Sequence, residues 1–255
     1  MVKRLAAVTA ALLAVFCISS RASAQTEITL LSPNPIKETI DRLVADYEKK
    51  TGNHVKVTYG TGVGTRETVA KGGAQDVTLL FAPFDDAIRT GNVDRSSATV
   101  VARLRLAIAV KKGAPKPDIS TAAAVRNTLR NAKSIVSVDP AQGSVGGAVL
   151  LALDKLRITN EIRPKIKWLP GGGDVQRLVA SGESEIAFGP YLSDMRNPGI
   201  DVVGALPPDA ATPVDITGFL STTVKDRAAA RSLIAYLRSP EAAPVWREAK
   251  AFPAQ

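Results

Sequence analysis

Short runs of apolar residues with a two-residue rhythm alternate along this chain with longer stretches in which apolar residues recur every three or four positions. The first rhythm predicts buried or half-buried strands, the second amphipathic helices. Thr26–Leu31 reads as a strand, and Pro35–Lys50 as a helix with Ile36, Ile40, Leu43, Val44 and Tyr47 on one face. Asn34 is placed to cap that helix, with Pro35 at its first position and Gly52 at its end. Strand His54–Tyr59, helix Thr65–Lys71, strand Asp76–Phe81 and a short helix at Phe84–Thr90 follow. Val100–Val110 reads as one long apolar strand that carries Arg103 and Arg105. Past the Lys111–Pro117 loop come helix Thr121–Asn131, strand Ser134–Val138, helix Val145–Leu156, strand Lys165–Leu169, helix Asp174–Ala180 and strand Glu185–Phe188. Strands at Ile200–Leu206 and Ile216–Val224 precede two closing helices, Arg227–Leu237 and Pro240–Ala249. Strands alternating with helices predict parallel α/β sheets, whose ligands bind beyond the carboxyl ends of the strands.

Four strand-to-helix junctions are marked by glycine or proline: Ser32-Pro33-Asn34-Pro35, Gly60-Thr61-Gly62-Val63-Gly64-Thr65, Asp139 to Gly147, and Pro170-Gly171-Gly172-Gly173-Asp174. A helix N-terminus presents unpaired N–H groups and a partial positive charge, so it holds an anion without a side-chain cation. Several such ends at one cleft make an anion receptor. Each glycine also has an ordinary reading, as a residue that supplies unusual backbone angles or close packing. The hydroxyl and amide side chains nearby (Ser32, Asn34, Thr61, Thr65, Gln142 and Ser144) favour a shared site, and Tyr191, after the Glu185–Phe188 strand, is either a further contact or a rim aromatic.

The chain begins like an export signal. Lys3 and Arg4 precede an apolar stretch from Leu5 to Ile18, and Ala22-Ser23-Ala24 is a small-residue cleavage site, so the mature chain is expected to begin near Gln25. That stretch is short for a membrane span, and no later segment is apolar enough. The only cysteine, Cys17, lies inside the signal, so no disulfide is expected despite export. Losing Lys3, Arg4 and Arg21 with the signal lowers the net charge from +9 to +6. The remaining excess is either a field that attracts anions or a solvated basic surface. No dense Lys/Arg tract interleaved with aromatics suggests nucleic acid.

Catalytic and metal motifs are sparse. The Gly60–Gly64 turn has the wrong spacing for a dinucleotide loop, and there is no P-loop lysine motif. Ser144 lacks the glycine frame of a nucleophile elbow, and the single histidine, His54, reads as a surface strand residue far from it in sequence. One histidine and no mature cysteine leave nothing for a His/Cys metal site, and no cofactor is indicated. Trp168 and Trp246 read as core residues.

With these residues in view, the chain resembles the periplasmic molybdate-binding protein family of ABC importers, and more closely its divergent branch whose ligands are often unassigned. The residues that carry the resemblance are ITLLSPNPIKETIDRLVADYEKKTGNHVKVTYGTGVGT, AQDVTLLFAP, SVDPAQGSVGGAVLLALDKL, GGGDVQRLVASGESEIAFGP and AAARSLIAYLRSPEAAPVW, which together span nearly the whole mature chain. The resemblance implies a type II periplasmic binding fold: two α/β lobes joined by two crossing strands, with ligand in the cleft. It places one discontinuous lobe at residues 26–103 and 216–255 and the other at 104–215. It implies oxyanion binding by hydroxyls and backbone N–H groups. Ser32 matches the first family serine. The second falls on Gly62, leaving Thr61 or Thr65 to supply that hydroxyl. The backbone-contact positions fall on Val145, beside Ser144, and on Val175. The family tyrosine falls on Gly189 counted from one side and on Tyr191 from the other. Such departures imply a widened site that would admit a carboxylate or an organophosphate.

The expected protein is therefore a monomeric, periplasmic, non-enzymatic receptor that passes a small anion to an ABC permease. Ser32, Asn34, Thr61, Gly62, Ser144, Val145, Val175 and Tyr191 are its expected ligand contacts. An orphan receptor with a sensory role and an exported α/β enzyme are the competing readings.

Overall fold

The computed structural model describes residues 26–191 and 197–254. The expected signal, with Cys17 and the cleavage site, lies outside the described residues. The chain opens with β1 (Glu27–Pro33), α1 (Lys37–Thr51), β2 (His54–Gly60), α2 (Gly62–Ala70), β3 (Val77–Phe81) and α3 (Asp85–Ile88). It continues through β4 (Val93–Leu104), β5 (Leu106–Lys111), α4 (Ala122–Asn131), β6 (Ile135–Val138), α5 (Ser144–Lys155), α6 (Thr159–Ile162), β7 (Ile166–Leu169), α7 (Gly172–Ser181) and β8 (Ile186–Pro190). It closes with β9 (Ile200–Ala205), β10 (Val214–Ser221), α8 (Arg227–Arg238), α9 (Ala243–Glu248) and β11 (Phe252–Pro253).

These strands form a six-stranded sheet in the order β11-β4-β10-β3-β1-β2 and a five-stranded sheet in the order β7-β6-β8-β5-β9. Each is the centre of an α/β lobe. Neither is purely parallel, as the alternation of elements had suggested. β10 runs against β3 and β4, and β5 runs against β8 and β9. The reason is topological. β1, β2 and β3 end at the cleft between the sheets, as do β6, β7 and β8, whereas β10 and β5 are the strands by which the chain enters each lobe from the cleft. A strand that enters must oppose those that end there.

The expected strand Val100–Val110 is two strands in two sheets. β4 and β5 are separated by Arg105 alone. The Arg105 guanidinium lies 4.0 Å from the centre of the Phe252 ring, and its carbonyl accepts a hydrogen bond from Tyr191 N–H at 2.7 Å. Beside it, Arg103 on β4 pairs with Asp215 on β10 at 2.8 Å, linking the outgoing and returning strands. His54 is exposed at the start of β2 and pairs with Glu48 at 2.8 Å.

The apolar faces read from the sequence are the buried ones. Ile36, Ile40, Leu43, Val44 and Tyr47 all pack into the core, and Gly52 ends α1 in a left-handed conformation (φ 74°) that a side chain would resist. The start of that helix differs from expectation. Asn34–Ile36 is a 3-10 turn that follows Pro33, so Asn34 makes no side-chain cap and is left exposed. Trp246 is fully buried, with its indole N–H on the Leu237 carbonyl at 2.8 Å; Trp168 is only half-buried. On β6, Ile135 faces the core that α5 joins through Val145 and Val149, while Val136 faces a smaller core with Val175 and Val179. Successive strand residues point to opposite faces, so α5 and α7 cover opposite sides of the second sheet.

Candidate functional site

A cavity of about 370 Å³ lies between the two sheets. From the first lobe come Asn34 and Pro35 after β1, Thr61 and Gly62 after β2, and Phe81 at the end of β3. From the second come Val138 at the end of β6, Gln142 to Val145 after it, Pro170 to Gly173 after β7, Gln176, and Pro190 at the end of β8. Every strand that contributes ends at the cavity, which is where open α/β sheets place ligands. None of these lining residues carries a titratable side chain.

The polarity of the wall comes from backbone and neutral side chains. α2, α5 and α7 all begin at the cavity. Thr61 caps α2 by accepting a hydrogen bond from Gly64 N–H at 2.8 Å, and its hydroxyl proton stays free to donate. That leaves the N–H groups of Gly62 and Val63, those of Ser144 and Val145 on α5, and those of Gly172, Gly173 and Asp174 on α7 without acceptors among the described residues. Three helix starts of this kind supply partial positive charge with no compensating cation.

Ser144 is 3% exposed and Ser32 is 0% exposed, and neither hydroxyl has a hydrogen-bond partner among the described residues. Buried hydroxyls are ordinarily paired, and leaving one unpaired costs about 1–3 kcal/mol. Ser144 lines the cavity. Ser32, two residues before Asn34 on β1, stands behind the wall.

Of the residues expected from the sequence, the fold gathers Asn34, Thr61, Gly62, Ser144 and Val145 around the cavity and leaves Ser32, Val175 and Tyr191 off its wall. Val175 is 5% exposed, and its N–H bonds the Gly171 carbonyl at 3.3 Å. The reason is that α7 starts at Gly172, before the Asp174 start that the sequence suggested, so the open donors fall earlier. Tyr191 directs its N–H to Arg105, and its neighbour Pro190 takes the place at the wall. Thr65 cannot replace the missing hydroxyl at position 62, because it is fully buried and its own donates to the Gly62 carbonyl at 3.0 Å.

Gly62 itself does not widen the site. A Cβ there would lie 2.9 Å from Ser144 Oγ and 3.2 Å from Ser144 N, so the space belongs to Ser144 of the opposite lobe. The lobes touch at this point. Room appears instead at Gly171, Gly172 and Gly173, where a Cβ would meet nothing within 4 Å.

Sequence reasoning marked the Pro170–Gly173 turn but passed over Phe81, Val138, Pro190 and Gln176 as lining residues. Phe81 and Val138 end strands β3 and β6, so the rule for strand ends would have found them. Gln176 lies one turn beyond Gly172, on the same helix face. Among the described residues no cluster of three or more His, Cys, Asp or Glu side chains is placed to hold a metal, and no helix is long and apolar enough to cross a membrane.

Two α/β lobes and a cleft lined by helix starts define a type II periplasmic binding fold, and the chain belongs to the bacterial extracellular solute-binding protein family, which it matches over residues 28–249. Among its relatives, it is 30% identical over 239 residues to an aconitate isomerase from Pseudomonas sp, covering 90% of each chain. It is 26% identical over 238 residues to the molybdate-binding protein ModA of Azotobacter vinelandii, covering 90% of this chain and 89% of ModA. A substrate binding domain assigned to a molybdenum ABC transporter from Clostridium difficile superposes with a TM-score of 0.75 at 15% identity, covering 91% of this chain and 100% of that one. The expected kinship with molybdate-binding proteins holds, and at such structural identities the likeness speaks for the fold alone.

Proposed function

We propose that this protein is an exported receptor that closes two lobes, 26–103 with 216–255 and 104–215, on a small anion and delivers it to an ABC importer. The observation that carries this reading is the cavity wall: three helix starts and a buried unpartnered hydroxyl, with no titratable side chain among its lining residues. Such a wall attracts and desolvates negative charge, and its described residues offer no carboxyl, imidazole or amine to exchange a proton with it. Asn34, Thr61 and Ser144 would donate from side chains, and Gly62, Val145 and Gly172 from backbone. Oxyanions, carboxylates and organophosphates are the anion classes such a wall would take. Thermal unfolding and calorimetry of the mature chain against those three classes test it. A ligand at a hundred times its Kd adds about 2.7 kcal/mol of stability. Absence of any shift across the three classes would sink the reading.

A second reading, an isomerase of an unsaturated tricarboxylate, is favoured by the aconitate isomerase relative. Moving a double bond by proton transfer needs a general base within hydrogen-bond reach of the carbon acid. The described cavity wall offers none, which is why binding stands first. Following cis- and trans-aconitate by NMR in the presence of the protein separates the two: interconversion at an enzymatic rate would replace the receptor reading with the catalytic one.

A further inference from the structure

The cavity has two donor ends of different make. At one, α2 and α5 meet across the cleft, with Gly62 against Ser144 and the Ser144 hydroxyl unpartnered at 3% exposure. At the other, α7 begins with Gly171, Gly172 and Gly173, all on the cavity wall. None of these glycines has a backbone conformation that a side chain would resist, and none would bring a Cβ within 4 Å of another group. Glycine in a helix costs up to about 1 kcal/mol relative to alanine. Nothing in the packing of the described residues requires it here, and what the missing side chains do is leave the first N–H groups of α7 open to the cavity.

α5 and α7 lie on opposite faces of the second sheet, so their starts approach the cavity from opposite sides of its edge. Carbon makes up much of the remaining wall, from Pro35, Phe81, Val138, Pro170 and Pro190. At about 370 Å³ the cavity is of the size that holds small organic ligands. A tetrahedral oxyanion of about five heavy atoms would leave part of it unfilled.

The geometry points to an organic anion with two charged groups on a short carbon skeleton, a di- or tricarboxylate or a phosphorylated carboxylic acid. One group sits at Gly62 and Ser144, the other at Gly172 and Gly173, and the skeleton lies against the apolar wall. This rests on the receptor reading above and narrows its ligand.

The test is calorimetry on the mature chain and on Gly172→Leu and Ser144→Ala, with molybdate, sulfate, acetate, succinate, citrate and 3-phosphoglycerate as probes. At least one of the last three is expected to bind about tenfold or more tightly than any of the first three, a difference of about 1.4 kcal/mol. Gly172→Leu is expected to abolish that advantage, and Ser144→Ala to weaken every anion that binds. Melting of Gly172→Leu serves as the folding control and should match or exceed wild type. An inorganic oxyanion or acetate binding as tightly as the best two-headed anion overturns this inference and leaves the receptor reading standing, as does an advantage that survives Gly172→Leu in a folded variant. No heat from any probe overturns the receptor reading itself, and the inference with it.

Discussion

The turn before α5 and the turn before α7 both join a strand of the second sheet to a helix, and both border the cavity with glycine. A Cβ on Gly143 would come within 2.7 Å of Val138 Cγ1, and one on Gly146 within 2.2 Å of the Val138 carbonyl oxygen and 2.5 Å of Pro140 N. On Gly171, Gly172 or Gly173 it would meet nothing within 4 Å. In the first turn glycine lets the helix press onto the strand end, which fixes Ser144 and Val145 in place. In the second, glycine holds side chains away from the helix start. The same letters thus mark a support in one turn and an opening in the other, and only the neighbouring atoms tell them apart.

The largest effect that would test this contrast is at the support. Gly146→Ala should lower unfolding stability by about 3 kcal/mol or more, because the clash is with backbone that cannot turn aside. Denaturant melting that places the loss under about 1 kcal/mol would break the comparison at its first term. Next is the contact between lobes. Gly62→Ala forces Ser144 back by a few tenths of an ångström, and the cleft can yield where the core cannot. Affinity for the bound anion should fall about tenfold, worth about 1.4 kcal/mol, with the ligand-free melting temperature nearly unchanged. Calorimetry and a melt on the same sample read both. At the opening, Gly173→Ala should raise stability by a few tenths to about 1 kcal/mol through better helix propensity. A loss of stability there would mean that the second turn is packed after all.

The smallest effect lies away from both turns. The Ser96 hydroxyl and the Arg227 guanidinium hold the Asp94 carboxyl down at about 2, against an ordinary 3.8. A carboxyl depressed by folding adds stability above its unfolded value and loses it as pH falls through the folded one. Asp94 lies near the surface, partly covered by its partners, and should therefore contribute a slight steepening of acid unfolding between about pH 4 and pH 2; Asp94→Asn should flatten it without touching ligand affinity. Acid melts of the two proteins compare directly.

Much of the fold could be read in advance because periodicity reports burial. The predicted apolar face of α1 is buried at Ile40, Leu43, Val44 and Tyr47, with Ile36 buried in the turn before it and Thr39 joining the face unannounced. The break at Arg105 could not be read, since the apolar segments before and after it belong to different sheets and hydropathy is blind to which sheet a strand joins. At the site, the polar and glycine junctions were visible as departures from pattern, and they placed Asn34, Thr61, Gly62, Ser144 and Val145. Phe81 and Val138 did not stand out by residue type, because an apolar cavity wall is written in the same residues as a core; only their place at strand ends marks them. Val175 lies off the described cavity wall because α7 starts at Gly172: a shift of two residues along a helix exchanges an open donor for a bonded one.

The two tryptophans divide the protein's light between them. Trp246 is fully enclosed in the first lobe with its indole N–H satisfied, and its emission should be a steady background. Trp168, half-buried on β7, stands two residues before Pro170 and the open glycine turn. Trp168 is not itself on the cavity wall, so a ligand there is expected to reach its emission through the turn that joins them, and to leave Trp246 unchanged. On that expectation the molecule has an unlabelled optical gauge of occupancy, with an internal reference.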